Sequence, residues 1–329
     1  MANLSTSGRH QAGPVRRKFF RVFAVAGMAF TMAGRVTAAS NAGEDDTRRH
    51  RDLVPGGSLP VEEMERVLQT KADRLPGVVS FDQDRSDLAP VRYLPLGMTF
   101  EKGFELGNDI VFQSLRNGMA VANCDVSMRQ EHTQAVIDAV LGNGLVLQGF
   151  HQHWVGQDPQ IWHIHFRGID EPLELARRVR EVALAAGTQL PQSPPPKQTP
   201  LDQERLSGIL RGKASVGANG AVRVQVPRKN QMHLAGIPVS SFLNNCTNVQ
   251  FQPMPDAQHC AVAPDFAMTA GEVRKVLDLT HRRGFHIDCL YNQQTDEAPQ
   301  LFFSHQLKVG DAYALAQEVR SALDLTDAA

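Results

Sequence analysis

The chain has 329 residues, of which 42% are hydrophobic and 21% charged, with 26 glycines and 19 prolines. This composition is typical of globular proteins and excludes collagen-like, coiled-coil and wholly disordered chains. The formal net charge is -1, but residues 1–38 carry six basic side chains and no acid, so the remaining chain carries -7. A body this acidic argues against nucleic acid as a partner.

The first 38 residues have the three parts of an export signal. A basic segment at 16–21, with paired arginines before two phenylalanines, precedes an apolar run of thirteen residues at 22–34 and small residues at 36–38. We predict a signal peptide of the twin-arginine type over 1–38; a general secretory signal and a basic N-terminal tail are the alternatives. The run is too short for a permanent membrane helix and no other run is long enough. The mature protein is therefore predicted to be periplasmic or extracellular, without a transmembrane anchor.

Four cysteines are too few for a disulfide scaffold in a chain of this length. Cys246 and Cys260 flank residues 251–256, which have the pattern of a turn between two strands. We predict that these two cysteines lie opposite each other and form one disulfide in an oxidising compartment.

One structural unit occurs twice in the sequence, at a spacing of 140 residues. Residues 39–60, before the first copy, are polar and predict a flexible leader. Five prolines between 191 and 200 predict an extended linker over 188–204, which separates repeat 1 (61–187) from repeat 2 (205–329). Agreement without gaps over such a span indicates an internal duplication. Matching positions include Asp125 with Asp265, Val136 with Val276, Gly144 with Gly284, Pro159 with Pro299, His165 with His305, and Leu175 with Leu315.

Hydrophobic periodicity predicts the order β-α-β-β-α in each repeat, an α+β fold with helices packed on mainly antiparallel sheets. Two β-rich segments flank a turn-forming run at 156–160 and predict a hairpin. A last helix is expected to begin at Pro172, after a cap at Asp170 or Glu171, and to end near Gly187. The other predicted elements of repeat 1 are edge strands at 94–100 and 109–115, a strand at 119–126, a helix at 129–141, and strands at 145–153 and 161–167.

The predicted hairpin places four histidines on one face of the sheet, because side chains alternate along each strand. A register that pairs Val155 with Ile161 sets these histidines in two facing pairs, with the two tryptophans of the chain opposite each other on the other face. The aromatic face is expected to lie against the helices, so the histidine face turns outward or toward repeat 2. The facing residues are His153 with His163, His151 with His165, and Trp154 with Trp162.

Neutral imidazoles at positions i and i+2, opposed by a second such pair, can converge on one divalent cation. Four nitrogen donors favour a transition metal, zinc first and copper, nickel or iron as alternatives, over magnesium or calcium. Asp125 or Asp158 is predicted to supply an oxygen ligand, to orient a histidine, or to act in catalysis. Asp125 and Asp265 are equally well placed to cap the helices that follow them. The alternative to a metal site is a polar strand face that forms surface hydrogen bonds or contacts a substrate.

Repeat 2 lacks the fourfold histidine set. Tyr291, Gln293 and Phe303 stand where repeat 1 has three of its histidines, and only His305 persists. Repeat 2 is therefore predicted to be a structural or substrate-contacting partner, and loss of His305 is predicted to leave metal binding nearly unchanged.

Several segments from about residue 62 to the C-terminus resemble a known family. They are Phe112-Gln113 and Phe251-Gln252, the run from Cys124 to Met128, Gly149 to His153, and Pro159 to His165 leading into Leu173-Glu174-Leu175-Ala176. On these segments the chain resembles the LppY/LpqO family of mostly exported bacterial proteins, which have a duplicated domain of unknown function. The resemblance implies that His151, His153 and His165 occupy the family's characteristic positions. It also implies that His163 is particular to this sequence.

Three classes of function fit these observations. In an enzyme, the metal activates water for hydrolysis and Asp125 or Asp158 assists. In a non-catalytic module, the same face binds a metal ion or a small-molecule ligand. In an interaction scaffold, the repeats have no site at all. An open coordination position near an acid would favour the enzyme, whereas a closed shell of four histidines would favour the binding module.

Overall fold

The computed structural model describes residues 53–193, 198–256 and 259–329. The predicted signal peptide, most of the predicted leader and four residues of the predicted linker lie outside the described residues. Two similar halves correspond to the two repeats, and every strand pair in the described residues is antiparallel. The prediction of an α+β fold with mainly antiparallel sheets is confirmed. No helix in this part of the chain has the length and apolar character that a bilayer span requires.

Repeat 1 is longer than the predicted β-α-β-β-α order, because one helix and six strands precede the first strand of that order. The elements are α1 (Val61–Leu68), β1 (Asp73–Leu75), β2 (Val78–Ser80), β3 (Gln83–Asp84), β4 (Val91–Tyr93), β5 (Met98–Phe100), β6 (Gly107–Ser114), β7 (Ala120–Arg129), α2 (Thr133–Gly142), β8 (Val146–His151), β9 (Gln157–Asp158), β10 (Ile161–Asp170) and α3 (Pro172–Ala185), with 3₁₀ turns at Leu94–Leu96 and Gln130–His132.

Repeat 2 begins inside the predicted linker, at Gln203. Its elements are α4 (Gln203–Leu210), β11 (Lys213–Val216), β12 (Val222–Val226), β13 (Met232–Leu234), β14 (Ile237–Val239), β15 (Thr247–Pro253), β16 (Cys260–Thr269), α5 (Ala270–Arg282), β17 (His286–Ile287), β18 (Glu297–Ala298), β19 (Leu301–Gly310) and α6 (Ala312–Leu323), with a 3₁₀ turn at Ala218–Gly220.

Each repeat builds one large sheet and one small sheet. The large sheets have the strand orders β1-β2-β6-β7-β10-β8, with β3 also paired to β6, and β11-β12-β15-β16-β19-β17. The small sheets are β5-β4-β9 and β14-β13-β18. Strand β6 lies inside its sheet, so the predicted edge position of residues 109–115 is wrong. The reason is that β1 and β2, which the sequence analysis did not predict, pair beyond β6.

Each large sheet has its own helices on one face and the other repeat's small sheet on the opposite face. On the helix side of the repeat 1 sheet, Ile164 and Phe166 pack with Leu175 and Val179 of α3. On the far side, Val111 and residues of β13 and β14 share one apolar cluster. The reverse cluster joins β4 and β5 of repeat 1 to the repeat 2 sheet. The two repeats therefore share buried apolar surface, which stabilises their association.

The last helix of repeat 1 shows why these elements form where they do. The Glu171 side chain accepts a hydrogen bond from the backbone N–H of Glu174, and Pro172 occupies the first turn. Leu175, Val179 and Val182 recur at helical spacing and are fully buried. The predicted start, cap and apolar face of this helix agree with the structure.

Two glutamines connect the repeats reciprocally. Gln113 on β6 accepts a hydrogen bond from the backbone N–H of Ser240 (2.7 Å) and donates one to the carbonyl of Pro238 (3.0 Å). Gln252 on β15 makes the same two bonds, at 2.8 and 3.0 Å, with the backbone of Glu101 and Thr99. Both side chains are buried. One glutamine side chain of each large sheet is therefore hydrogen-bonded to the backbone at the end of the other repeat's small sheet.

Each repeat also contains a buried arginine that bonds within its own repeat. Arg85 donates to the carbonyl of Ser127, and Arg228 donates to the carbonyl of Ala267, the equivalent position in repeat 2. Arg228 also forms a two-point ion pair with Glu272, with both N–O distances at 3.0 Å. Guanidinium groups are suited to such two-point contacts with carboxylates.

The predicted disulfide is wrong. Cys260 opposes Pro253 at one end of the β15–β16 pair, whereas Asn248, close to Cys246, opposes Asp265 five residues further along β16. Residues 251–253, the first half of the predicted turn, belong to β15, and the two cysteines stand at opposite ends of the strand pair. All four cysteines are free thiols.

Candidate metal centre

The structure brings the four predicted histidines together on the sheet face that lies away from the repeat 1 helices. Strand β10 carries His163 and His165, β8 ends at His151, and His153 follows in the next segment. Ile164 lies between the two β10 histidines and points into the helix-side core. Alternation along the strand therefore separates the apolar face from the histidine face. The histidine face is directed toward repeat 2.

The register of the hairpin differs from the predicted one by two residues. His151 opposes His163, and Gly149 opposes His165. The predicted five-residue turn is instead a longer excursion, because β9 leaves the hairpin and pairs with β4 of the small sheet. An even shift keeps every side chain on its face, whereas an odd shift would have turned the histidines into the helix core. The rings still meet: the centroids of His153 and His163 are 3.4 Å apart.

The predicted pairing of the two tryptophans is wrong for the same reason. Trp154 leaves the hairpin with the β9 excursion and is fully buried, with its ring 5.2 Å from Phe100 in the cross-repeat cluster. Trp162 stays on β10 and stacks on Phe150 at 4.7 Å. The Trp154 indole N–H donates to Glu105 (3.2 Å), so this ring borders the histidine site.

The two predicted acidic residues have different positions. Asp125 on β7 lies among the histidines: its carboxylate is 3.2 Å from Nδ1 of His163 and 3.8 Å from Nε2 of both His153 and His165. Asp158 on β9 is half exposed and pairs with Arg92 on β4. The structure therefore places Asp125 in the site and Asp158 outside it, because β9 belongs to the small sheet.

Repeat 2 contributes a histidine to the site, although the sequence predicted no part in metal binding for it. The ring of His305, on β19, lies 4.0 Å from the ring of His153 between centroids. Its Nδ1 is 3.6 Å from Asp265, and its Nε2 is 3.7 Å from Glu105. The available signal was the persistence of the Asp125 and His165 positions in the second copy, as Asp265 and His305.

Glu105 was also not predicted, since it lies in a loop without a motif. Its backbone N–H donates to the side chain of Gln250 in repeat 2 (2.9 Å), and its φ of 56° places it in the left-handed region. Nearby, Gly103 approaches the backbone of Ala218 so closely that a Cβ would lie 2.3 Å from the carbonyl oxygen. The loop is therefore shaped by contact with repeat 2, which directs Glu105 toward the histidines.

Burial keeps the histidines uncharged. It lowers the pKa of His151, His163 and His165 to about 3 and holds the pKa of His153 and His305 well below the ordinary value. Neighbouring imidazoles add to the lowering at each of these residues except His163, where Arg85 adds to it. A neutral imidazole keeps one nitrogen lone pair for a metal ion. Nδ1 of His163 lies 3.2 Å from Asp125, and in the tautomer that donates an N–H to this carboxylate the lone pair of the ring is on Nε2.

Burial acts on the carboxyl groups in the opposite direction. It raises the pKa of Asp125 to about 7 and that of Glu105 to about 8, and it raises the pKa of Asp265 well above its usual range. Removal from water penalises the charged form of an acid just as it penalises a protonated imidazole. Arg223, which lies beside them, lowers these three pKa values but does not outweigh the effect of burial.

Several buried polar atoms of the site have no hydrogen-bond partner. They are Nε2 of His151, His153 and His165, and Oδ1 of Asp265. A buried polar group left unpaired costs about 1–3 kcal/mol. A cation bound by these atoms would remove that cost, and imidazole nitrogen with carboxylate oxygen is a usual donor set for zinc and related ions. The residues present therefore fit a divalent transition metal.

Within the described part of the chain, candidate ligand atoms form three overlapping groups of three, and the ligand atoms of each group lie within 4.8 Å of one another. His153 belongs to all three groups. The groups are His151, His153 and His165; Asp125, His153 and His163; and Glu105, His153 and His305.

A cavity of about 60 Å³ lies between the repeats at this site. Four carboxyl side chains and one guanidinium line it, together with three of the four repeat 1 histidines and His305. On the same kind of measure about 10–15 Å³ is enough for one water molecule, so the cavity has room for a metal ion together with water. The acids are Glu105, Asp109, Asp125 and Asp265, and the guanidinium is that of Arg223.

Comparison with known proteins identifies the family. The family model DUF1529, described as Domain of Unknown Function (DUF1259), matches the chain twice, over residues 62–185 and 204–325. The chain belongs to this family, and the prediction of a duplicated domain of unknown function is confirmed. No curated protein and no solved structure matches the chain.

Proposed function

We propose that this protein is an exported member of its family that binds a divalent transition metal, zinc first among the candidates, at the histidine cluster of repeat 1. The primary ligands are His151, His153 and His165, with His163 beside them. The observation that carries the proposal is the set of three buried Nε2 atoms without hydrogen-bond partners in one compact group.

The alternative of a polar strand face is weaker, since such a face needs water or hydrogen-bond partners for its imidazoles. His153, His163 and His165 are at most 6% exposed, and their rings lie against one another. Burying several imidazoles without partners is costly unless something binds them. Zinc suits the donor set because it binds nitrogen and carboxylate ligands in tetrahedral geometry. Copper, nickel and iron also bind imidazole nitrogen and are the alternatives.

The proposal of export rests on the sequence alone, from the basic, apolar and small-residue segments of 1–38. A twin-arginine signal would export the protein already folded. That route suits a metal centre built from separate strands of one sheet, because its ligands assemble only on folding. The LppY/LpqO resemblance supports the same location, periplasmic or extracellular.

The cavity of about 60 Å³ favours a binding module over a hydrolase for organic substrates, because pockets for such substrates usually have volumes of about 300–1,000 Å³. Metal-assisted hydrolysis is the second candidate, and Asp125 supports it. This carboxyl group lies 3.2–3.8 Å from nitrogens of three histidines, close enough for a carboxylate to take a proton from metal-bound water.

The test of metal binding compares matched histidine variants of the full chain. After treatment with a chelator and dialysis, zinc is titrated calorimetrically into the wild-type protein and into the His151→Ala, His165→Ala and His281→Ala variants. His281 is an exposed residue in the last turn of α5 and serves as the control. Loss of a ligand should weaken binding by more than about 100-fold, since loss of a supporting hydrogen bond to a ligand already costs about 10- to 100-fold.

The proposal is wrong if His151→Ala and His281→Ala bind zinc with equal affinity, or if the wild-type protein binds none. A cobalt-substituted sample addresses the second candidate. Azide should shift its visible absorption bands if a coordination position is open, which hydrolysis requires, and unchanged bands would exclude the hydrolytic alternative.

A further inference from the structure

The cavity at the histidine site has a buried end and an end that reaches the protein surface. His153 and His165 lie at the buried end, and each has an Nε2 without a hydrogen-bond partner. At the other end, the side chain of Asp109 on β6 is 26% exposed and that of Arg223 on β12 is 15% exposed. An ion that travels through this cavity from solvent to the histidines therefore passes Asp109 and Arg223.

A row of metal-binding side chains crosses three neighbouring strands from the outer end of the cavity to the inner end. Asp109 on β6 lies directly opposite Asp125 on β7, and Asp125 lies directly opposite His165 on β10. Directly opposed residues share one face of a sheet, and neighbouring strands are about 4.7–4.9 Å apart. A cation moving inward along this row meets carboxylate oxygen first and imidazole nitrogen last. Two carboxylates opposite each other repel and destabilise a sheet, and a cation that passes between them would balance that repulsion.

Arg223 closes the outer end of this row. Its guanidinium donates to both carboxylate oxygens of Asp109, at 2.7 and 2.8 Å, and so joins repeat 2 to repeat 1. Nη1 of the same guanidinium also lies 3.4 Å from Asp82, which follows β2 and has a side chain that is 45% exposed. Asp82 therefore offers Arg223 a second partner nearer to solvent. A shift of the guanidinium toward Asp82 would free Asp109 without leaving the arginine unpaired.

The corresponding row of repeat 2 differs at its outer position. Asn248 on β15 lies opposite Asp265, and Asp265 lies opposite His305 on β19. Asn248 thus takes the position that Asp109 has in repeat 1, and its Oδ1 is 3.3 Å from Nε of Arg223. An amide beside a guanidinium does not attract a cation. Among the described residues, a row that is acidic at its outer end is therefore present in repeat 1 and not in repeat 2.

We propose that divalent metal ions enter and leave the histidine site along Asp82, Asp109 and Asp125, and that Arg223 is the gate of this path. This inference rests on the proposed function, because it concerns how the same centre is loaded. In the closed state the guanidinium holds Asp109. A hydrated cation that arrives at Asp82 and Asp109 takes the place of the guanidinium, passes to Asp125, and exchanges its water for imidazole nitrogen. No proton or electron is transferred along the path.

The experiment measures how fast cobalt(II) enters and leaves the site of the full chain. Association is followed by stopped-flow absorption after metal-free protein is mixed with cobalt(II). Release is followed after the loaded protein is mixed with a chelator, at several chelator concentrations. The variants are Arg223→Lys and Asp82→Asn. The control is Asp138→Asn, which makes the same change of charge at an exposed position on α2.

The path predicts that association and release change together. Arg223→Lys keeps the positive charge but cannot make the two-point contact with Asp109. Because a hydrogen bond between charged groups is lost, we expect both rates to rise by about 10-fold. Asp82→Asn removes the outermost negative charge, so association should slow by about 3- to 10-fold and release should slow with it. Asp138→Asn should leave both rates unchanged. A site that was merely loosened would release cobalt faster without binding it faster.

Arg223→Gln gives a second test of the gate, and it serves if Arg223→Lys does not fold, as judged by circular dichroism. Loss of a positive charge beside a cation site would by itself slow release, whereas loss of the gate speeds it. The proposal is overturned if neither arginine variant binds and releases cobalt faster than the wild type. It is also overturned if Asp82→Asn slows association no more than Asp138→Asn does. A wild type that binds no cobalt would instead refute the proposed function, and this inference with it.

Discussion

The reciprocal glutamines give a quantitative prediction about how the repeats are joined. Replacing Gln113 by Leu keeps the volume of the side chain but removes both hydrogen bonds across the repeats. The N–H of Ser240 and the carbonyl of Pro238 then lose their partner. Each unpaired group in a buried setting costs about 1–3 kcal/mol, and both groups here are only partly buried. We therefore expect the free energy of unfolding to fall by about 2–3 kcal/mol.

The assay is urea unfolding followed by tryptophan fluorescence. Trp154 is fully buried in the cluster that joins β4 and β5 to the repeat 2 sheet, so its emission reports the loss of contact between repeats. The control is Gln134→Leu, an exposed position on α2 whose side chain bonds only to Asp138 within the same helix. An exposed change of this kind should alter stability by less than about 0.5 kcal/mol.

The equivalent glutamine of repeat 2 should respond in the same way. Gln252→Leu should show a loss of similar size, because that side chain makes the equivalent two bonds. The double variant should lose the sum of the two values, since the glutamines share no partner. If Gln113→Leu is no more damaging than Gln134→Leu, the amide bridges contribute nothing to the association of the repeats.

Two further predictions concern charge and export. Burial raises the pKa of Glu272, but hydrogen bonds from Arg228 and from backbone N–H groups outweigh burial, so the pKa of the folded protein is lowered. The stabilisation of the folded state by ionised Glu272 is therefore present above the unfolded pKa of 4.5 and is lost as the pH falls through the folded pKa. Glu272→Gln should cost about 3 kcal/mol at pH 7 and progressively less below about pH 4.5, as measured by denaturant unfolding; a constant difference across this range would contradict the assignment. Replacing Arg16 and Arg17 by lysine should retain the precursor in the cytoplasm, as seen by cell fractionation, and normal export of that variant would exclude the twin-arginine route.

Much of repeat 1 could be read from local pattern. The cap and apolar spacing before and along α3 predicted its start and buried face, because a helix of this kind depends on residues close in sequence. The duplication could be read in the same way, since matching positions recur at a constant spacing. Placement of the four histidines on one face also survived, because a two-residue change of register leaves side-chain alternation intact.

Other predictions failed where distant segments decide the outcome. The tight hairpin and the tryptophan pair assumed that residues 152–160 form only a turn, whereas β9 in this stretch pairs with β4, more than sixty residues earlier. The edge position of β6 failed because β1 and β2 pair beyond it. The disulfide failed because the strand register separates Cys246 from Cys260. The residues of one strand do not show which distant strand it pairs with, or in which register, so these three pairings could not be predicted from local sequence.

The sequence by itself determined the duplication, the helix that closes repeat 1, and the shared face of His151, His153, His163 and His165, because periodicity and alternation are local properties of the chain. Only the tertiary structure decided what that face lies against. Hydrophobic packing of each small sheet on the opposite repeat closes the histidine face with Glu105 and His305 and buries it. Alternation specifies the direction of a side chain but not its distant neighbours. The contact between the repeats, which brings Glu105 and His305 to the histidines, therefore followed from the fold alone.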